Sequence, residues 1–156
     1  MEVFMSLTEL LVPTFKNMLR TLSGLLEKAE QQMPDRAEGL LAVRLTADMY
    51  PLSSQLRFAA YQAQEASFRL RGESIPSSLV DVATEGRHAG DVPGSLSQAR
   101  ARIGEALSFL DGLSGDALDA GAILPITLEL PRGISFCQIA SKRDPLSRPI
   151  PTPWEG

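Results

Sequence analysis

The chain has 156 residues and a formal net charge of −4 at pH 7, with 44% hydrophobic residues. This length fits one domain with its own core, and this composition excludes a largely disordered chain. No apolar run approaches the length of a membrane span, and the negative net charge excludes a general affinity for nucleic acid. The single cysteine, Cys137, excludes an intramolecular disulfide. Because the N-terminus lacks a signal-peptide pattern, we expect a cytoplasmic protein.

The first periodic segment predicts a long helix from about Ser6 to Met33. Ser6 and Glu9 fit a capping box, which starts a helix by pairing free backbone N–H groups. Pro13 would then be the eighth residue, so the helix either bends there or begins there; we predict the bent helix. Its predicted core stripe has steps of four and three residues. The stripe consists of Leu11, Phe15, Met18, Leu22, Leu25 and Ala29.

A short helix is predicted over 35–45, followed by a second long helix. Asp48 is predicted to cap this second helix, with Pro51 in its first turn. Gly72 fits a left-handed C-terminal cap. The predicted stripe consists of Leu52, Leu56, Ala59, Ala63, Ala66 and Leu70.

Residues 73–94 have a loop-like composition, in which one or two helical turns around Ser78–Glu85 are plausible. Ser95 and Gln98 then form a second capping box, and Gly112 ends the third long helix. Its predicted stripe consists of Leu96, Ala99, Ile103, Ala106 and Leu110.

After the third long helix, the apolar period changes from 3.6 to 2. Alternation over 126–130, turn residues from Pro131 to Gly133 and a second apolar run over 134–136 predict a small β-hairpin. The segment 137–156 holds four prolines and has neither period, so we expect an irregular, Pro-rich tail.

Five segments carry a resemblance to a family catalogued as a domain of unknown function. They are Met5–Lys16, Leu22–Ala29, Arg44–Leu52, Ala101–Leu110 and Ile126–Leu130, of which Asp48-Met-Tyr-Pro-Leu52 is the most specific. The resemblance spans about 5–136 and places the chain in the DinB-like/YfiT-like superfamily. It implies an all-α fold, an up-and-down four-helix bundle, and a domain at 5–136 followed by the tail at 137–156.

The chain departs from the resembled family after the predicted hairpin. Family members continue into a fourth long, aromatic-rich helix, where this chain has Cys137-Gln-Ile-Ala-Ser-Lys-Arg-Asp-Pro145. We interpret this as a bundle of three long helices whose C-terminal helix is truncated or replaced, by a frameshift or by genuine divergence. The vacant groove would be covered by a partner helix, by a second copy in a homodimer, or by the hairpin and the 73–94 loop.

The superfamily resemblance implies metal chemistry, which these residues argue against. Characterised superfamily members hold a divalent metal with three histidines, and some activate a thiol for transfer. This chain has one histidine, His88, and one cysteine, Cys137, so a three-histidine site is impossible. We therefore predict neither a metal nor a cofactor, and we interpret Cys137 as a small apolar residue rather than a nucleophile.

Candidate binding residues remain on the second long helix and in the following loop. Tyr50, Arg57 and Tyr61 combine aromatic and polar groups suited to a pocket, and His88 lies in a Gly-rich loop. We interpret the helix residues instead as a widened buried face under the 73–94 loop, with the polar tips of Arg57 and the two tyrosines at its rim, and His88 as an exposed or loop-bracing histidine. Arg100 and Arg102 are interpreted as part of a solvated face of mixed charge.

The sequence contains no recognisable catalytic motif. The leading hypothesis is a non-catalytic, self-associating helical-bundle protein. The alternative is a small-molecule-binding or metal-dependent thiol-transferase-type protein of the DinB-like superfamily.

Overall fold

The structure is a computed structural model that describes residues 5–130 and 133–138, with side chains described as far as residue 124. Four α-helices dominate it: α1 (Leu7–Gln32), α2 (Leu52–Leu70), α3 (Ser77–His88) and α4 (Leu96–Asp111). Two short 3₁₀ helices cover Glu38–Ala42 and Asp119–Ile123. The predicted helical class is confirmed.

Helix α1 begins as its sequence predicts. The Ser6 side chain accepts a hydrogen bond from the Glu9 backbone N–H at 3.1 Å, and the Glu9 carboxylate accepts from the Ser6 N–H at 2.9 Å. The helix continues through Pro13, so Pro13 does not mark its start.

The buried face of α1 differs from the predicted stripe. Leu19 and Leu26 are buried, whereas Met18 is 67% exposed and Leu25 57% exposed. The reason is that α1 packs mainly on α4 and touches α2 little. Its buried face is therefore turned toward α4, and one side of the predicted stripe is left at the surface.

Helix α2 starts later than predicted and without the predicted cap. Pro51 is its N-cap residue and makes no side-chain capping bond. The Asp48 carboxylate instead accepts a hydrogen bond from the Thr46 hydroxyl at 2.5 Å, within the preceding turn. At the other end, Gly72 has a φ of 67°, as expected for a left-handed cap.

Helix α3 is the largest difference between the structure and the fold predicted from the sequence. The 73–94 segment, predicted as mainly loop, contains a helix of 12 residues that packs on α2. The apolar spacing of Leu79, Val82 and Ala83 buries one face of this helix. The 35–45 segment also differs from its prediction, because only Glu38–Ala42 is helical and it forms a 3₁₀ helix.

Helix α4 matches its prediction closely. All five residues of its predicted stripe are buried, and Ser95 and Gln98 form the predicted capping box. A further acceptor comes from the first 3₁₀ helix, where the Glu38 carboxylate accepts from the Leu96 backbone N–H at 3.0 Å. The packing of α4 between α1 and α2 places its stripe at the centre of the core.

Two short strands follow the second 3₁₀ helix. Strands β1 (Pro125–Leu130) and β2 (Gly133–Gln138) pair antiparallel, with Ile126 opposite Cys137. Strand β1 lies where the sequence predicts extended structure. Strand β2 includes the predicted run over 134–136 but continues through Cys137 and Gln138, so the prediction of an irregular tail is wrong for these two residues. Residues 139–156 of the predicted tail lie outside the described residues, and the predicted loss of a C-terminal helix falls on them. Among the described helices, none is both long enough and apolar enough to cross a membrane.

Candidate functional site

The deepest charged side chain of the described core is Arg57, on α2. It is only 4% exposed, because α3 packs over this part of α2. Its Nη1 donates to the Ser53 carbonyl oxygen, one turn earlier, at 3.0 Å. Its Nε is buried and has no hydrogen-bond partner, and the nearest carboxylate oxygen, Glu85 Oε2, is 3.5 Å away. Arg57 is thus a buried cation whose donors are incompletely used.

Glu85, on α3, connects Arg57 to a second arginine on α4. Arg102 Nε donates to Glu85 Oε2 at 3.1 Å, Arg102 Nη2 also contacts Glu85 Oε1, and Arg102 Nη1 donates to Glu105 at 2.9 Å. The hydrogen bond from Arg102 is the main cause that lowers the pKa of Glu85. The two carboxylates in turn raise the pKa of Arg102. Three of the four helices are linked through this network.

Gly94 makes room for the Arg57 guanidinium. Its φ is 72°, a conformation that side-chain-bearing residues rarely adopt. A Cβ there would lie 2.7 Å from Arg57 Nη2 and 2.4 Å from the Gln98 side-chain oxygen. Glycine is therefore required both by the backbone conformation and by the close approach of Arg57.

These groups border a cavity of about 470 Å³ between α2, α3 and α4, called the Arg57 cavity below. The residues lining the Arg57 cavity are Arg57, Glu85, His88, Val92, Gly94, Gln98, Ala101, Arg102 and Glu105. Its volume lies in the range of small-molecule sites. Chemically, it offers one buried guanidinium, a paired guanidinium, two carboxylates and a rim histidine.

The structure brings together two of the four predicted pocket residues. Arg57 and His88 line the same cavity. Tyr50 instead packs edge-on against Phe58, with ring centroids 5.2 Å apart. Tyr61 is not among the residues lining the Arg57 cavity; its pKa is raised by partial burial and by the nearby Glu65.

The sequence pattern did not indicate Glu85 and Gln98 as cavity residues. The mixed-charge face predicted for Arg100 and Arg102 includes the ion pair of Arg102 with Glu105. Both arginines also pair with carboxylates of other helices, which the sequence did not predict. Arg100 pairs with Glu30 of α1 at 2.7 Å, and Arg102 pairs with Glu85 of α3. The apolar spacing within α3 was the available signal, since it implies a helix that covers Arg57.

A second surface feature is an apolar groove between α1 and α2, called the α1/α2 groove below. It exists because these two helices touch little, and its volume is about 400 Å³. The lining residues are Phe15, Met18, Leu19, Leu22, Leu52, Gln55, Leu56, Ala59, Gln62 and Ala63. None of them is charged. A similar apolar recess continues from Leu52 and Gln55 toward Val43 and Tyr50.

Within the described segments, no group of three or more His, Cys, Asp or Glu side chains is arranged to hold a metal ion.

Comparisons with known proteins give one match. Residues 7–142 match the family described as Domain of unknown function (DUF1993). No curated protein matches, and no solved structure matches. Because the family match spans well over half of the chain, this protein belongs to the DUF1993 family.

Proposed function

We propose that this protein is a helical-bundle module that self-associates through the α1/α2 groove. The observation that carries the proposal is the exposure of large apolar side chains on α1 at the groove. Met18, which lines the groove, is 67% exposed, and Leu25, two turns further along α1, is 57% exposed. The groove lining is apolar apart from Gln55 and Gln62. Exposed apolar patches mark interaction sites in soluble proteins.

The chemistry of the groove favours a second copy of the chain as its occupant. In a two-fold symmetric dimer, one surface patch packs against its own copy, so charged side chains near the axis would face like charges. The α1/α2 groove offers only apolar side chains and the amides of Gln55 and Gln62. Self-pairing of the lining residues therefore brings no like charges together, and each large apolar side chain covered contributes about 1.5–3 kcal/mol.

Sedimentation velocity on the full chain tests this proposal. At about 50 µM, in the range where modest dimer affinities populate both species, we expect a dimer that dissociates on dilution. Met18→Lys places a charge in the interface, and we expect it to raise the dimer Kd by about 100-fold or more. Val80→Lys is the matched control, because Val80 is 44% exposed on α3 and does not line the groove.

Each result of the sedimentation experiment either supports or contradicts the proposal. Dissociation by Met18→Lys together with an intact Val80→Lys dimer supports the proposal. A wild-type monomer throughout the concentration range contradicts it. A dimer that is unaffected by Met18→Lys also contradicts it, because the interface would then lie elsewhere.

A second candidate function, binding of a small molecule, is favoured by the Arg57 cavity. That cavity lies between α2, α3 and α4, whereas the groove lies between α1 and α2. The two functions are therefore independent, and a monomeric protein could still bind a ligand.

A further inference from the structure

We propose that the Arg57 cavity binds the carboxylate group of a small organic monocarboxylate. This inference does not rest on self-association. It rests on a buried cation with an unused donor at a cavity of about 470 Å³.

The first step of the argument is the state of Arg57. A buried charged group is costly unless its hydrogen-bonding groups are satisfied. Arg57 Nη1 is satisfied by Ser53, but Nε is not, and Glu85 Oε2 lies 3.5 Å from it. An added carboxylate at the Nε side of the guanidinium would supply the missing acceptor.

The second step concerns Glu85, which is the only carboxylate described within ion-pair distance of Arg57. Its two oxygens are already bound by Arg102, at 3.1 Å from Nε to Oε2 and through Nη2 to Oε1. Glu85 can therefore keep its hydrogen bonds to Arg102 while a ligand carboxylate binds the Arg57 guanidinium from the side of the cavity. Glu85 and the ligand would then share Arg57.

The third step selects a carboxylate over a phosphate. The planar guanidinium fork matches the oxygens of a carboxylate and of a phosphate alike, so the charges of the site decide between them. Of the two described arginines in the lining, Arg57 has a buried donor without a hydrogen-bond partner, whereas Arg102 is shared between Glu85 and Glu105. A doubly charged phosphate would bring two further negative charges beside Glu85 and Glu105, whereas a carboxylate brings one.

The fourth step concerns the rest of the ligand. Val92 and Ala101 add apolar surface to the cavity lining, and Val92 is 71% exposed at its mouth. A short alkyl or aryl group attached to the carboxylate would cover this surface. The cavity volume accommodates a molecule of that size.

The test uses butyrate as the probe and the Arg57 Nε–Hε resonance of the ¹⁵N-labelled full chain as the readout. Butyramide is the control, because it has a similar shape without the charge. We expect a saturable shift of the Arg57 resonance with butyrate, with half-saturation in the millimolar range, about 1 mM. Butyramide should produce no comparable shift.

Two variants test whether butyrate binding depends on the planar guanidinium of Arg57 or only on positive charge. Arg57→Lys keeps the charge but loses the planar fork, and we expect it to weaken butyrate binding at least about tenfold. Arg100→Lys is the matched control, since Arg100 pairs with Glu30 away from the cavity, and it should bind butyrate as the wild type does. The wild-type resonance keeps the test valid even if Arg57→Lys unfolds the chain.

Three results would overturn the inference. One is the absence of any shift at Arg57 up to about 10 mM butyrate, ten times the expected Kd. Another is an equal shift with butyramide, which would indicate apolar contact without carboxylate recognition. The third is saturable binding of inorganic phosphate at Arg57 under conditions where butyrate does not bind.

Discussion

Gly86 of α3 lies so close to Phe58 of α2 that a Cβ at position 86 would stand 2.6 Å from Phe58 Cε1. This contact sets how closely α3 approaches α2, and so how completely α3 covers Arg57. Because the Phe58 ring also packs against Tyr50, it has a neighbour on another side. The absence of a side chain at Gly86 is therefore a structural requirement of the α2–α3 packing.

The first prediction follows from this contact. Gly86→Ala should lower the free energy of unfolding by about 1–3 kcal/mol, because the methyl group overpacks the interface. Urea unfolding followed by circular dichroism measures the change. Gly104→Ala on α4 is the control: no atom lies within 4 Å of its Cβ position, so the better helix propensity of alanine should stabilise by about 0.5–1 kcal/mol. Equal effects of the two substitutions would contradict the close approach of α3.

The second prediction concerns the connection between α1 and the second 3₁₀ helix. Thr8 donates to the Asp119 carboxylate from its backbone N–H at 2.9 Å and from its hydroxyl at 2.6 Å. The same hydroxyl accepts from the buried Leu118 N–H at 2.9 Å. Thr8→Val leaves that N–H without an acceptor and should destabilise by about 1–3 kcal/mol. Thr14→Val is the control, because the Thr14 hydroxyl only donates back to its own helix at Leu10; a similar loss there would contradict the account.

The third prediction concerns the N-terminus of α4. Glu38 accepts from the Leu96 N–H and places a negative charge where the helix dipole favours one. Glu38→Gln should destabilise by about 0.5–1 kcal/mol, which thermal or urea unfolding at low salt can resolve. Added salt should reduce the difference between the variant and the wild type. A difference that grows with salt would exclude this electrostatic role.

The fourth prediction is a dependence of stability on pH. Hydrogen bonds from Arg102, Lys16 and Thr8 lower the pKa of Glu85, Asp111 and Asp119 respectively. A carboxyl whose pKa is lower in the folded state stabilises the fold above its unfolded pKa, and this stabilisation is lost as pH falls through the folded value. Stability should therefore decrease on acidification below the ordinary carboxyl values of 4.5 and 3.8.

The contribution of Glu85 to the pH dependence of stability can be measured separately. Glu85→Gln removes one titrating group whose pKa is lowered, so the variant should lose less stability than the wild type between neutral pH and pH values below 4.5. Urea midpoints measured across this range give the comparison. An unchanged slope would show that Glu85 does not bind Arg102 in solution.

The sequence predicted best those helices whose apolar stripe faces the centre of the core. Every residue from Leu96 to Leu110 in the α4 stripe is buried, because α4 packs between α1 and α2. In α1 the same four-three spacing includes Met18 and Leu25, which are exposed. Spacing identifies an apolar face, but which part of that face is covered depends on neighbouring helices.

Helix α3 and the Arg57 cavity were harder to predict, for a related reason. Pro76, Gly86 and Gly90 gave the segment the composition of a loop. Gly86 nevertheless lies within α3, where its lack of a side chain allows the helix to approach Phe58 closely. Without a prediction of α3, the sequence indicates Arg57 and His88 as candidate binding residues but does not place Glu85 opposite Arg102. Pairing between separate helices is set by packing, which local spacing does not encode.

The most direct measurement of the central claim is the contact between copies at the α1/α2 groove. A sample mixing isotope-labelled and unlabelled chains, studied by isotope-filtered nuclear Overhauser spectroscopy, reports only methyl groups that meet across copies. The account predicts cross-copy contacts from the methyl groups of Met18 and Leu22, which line the groove. The Leu22 contacts should disappear in Met18→Lys. Contacts confined to residues outside the groove, or none at concentrations where the protein sediments as a dimer, would contradict it.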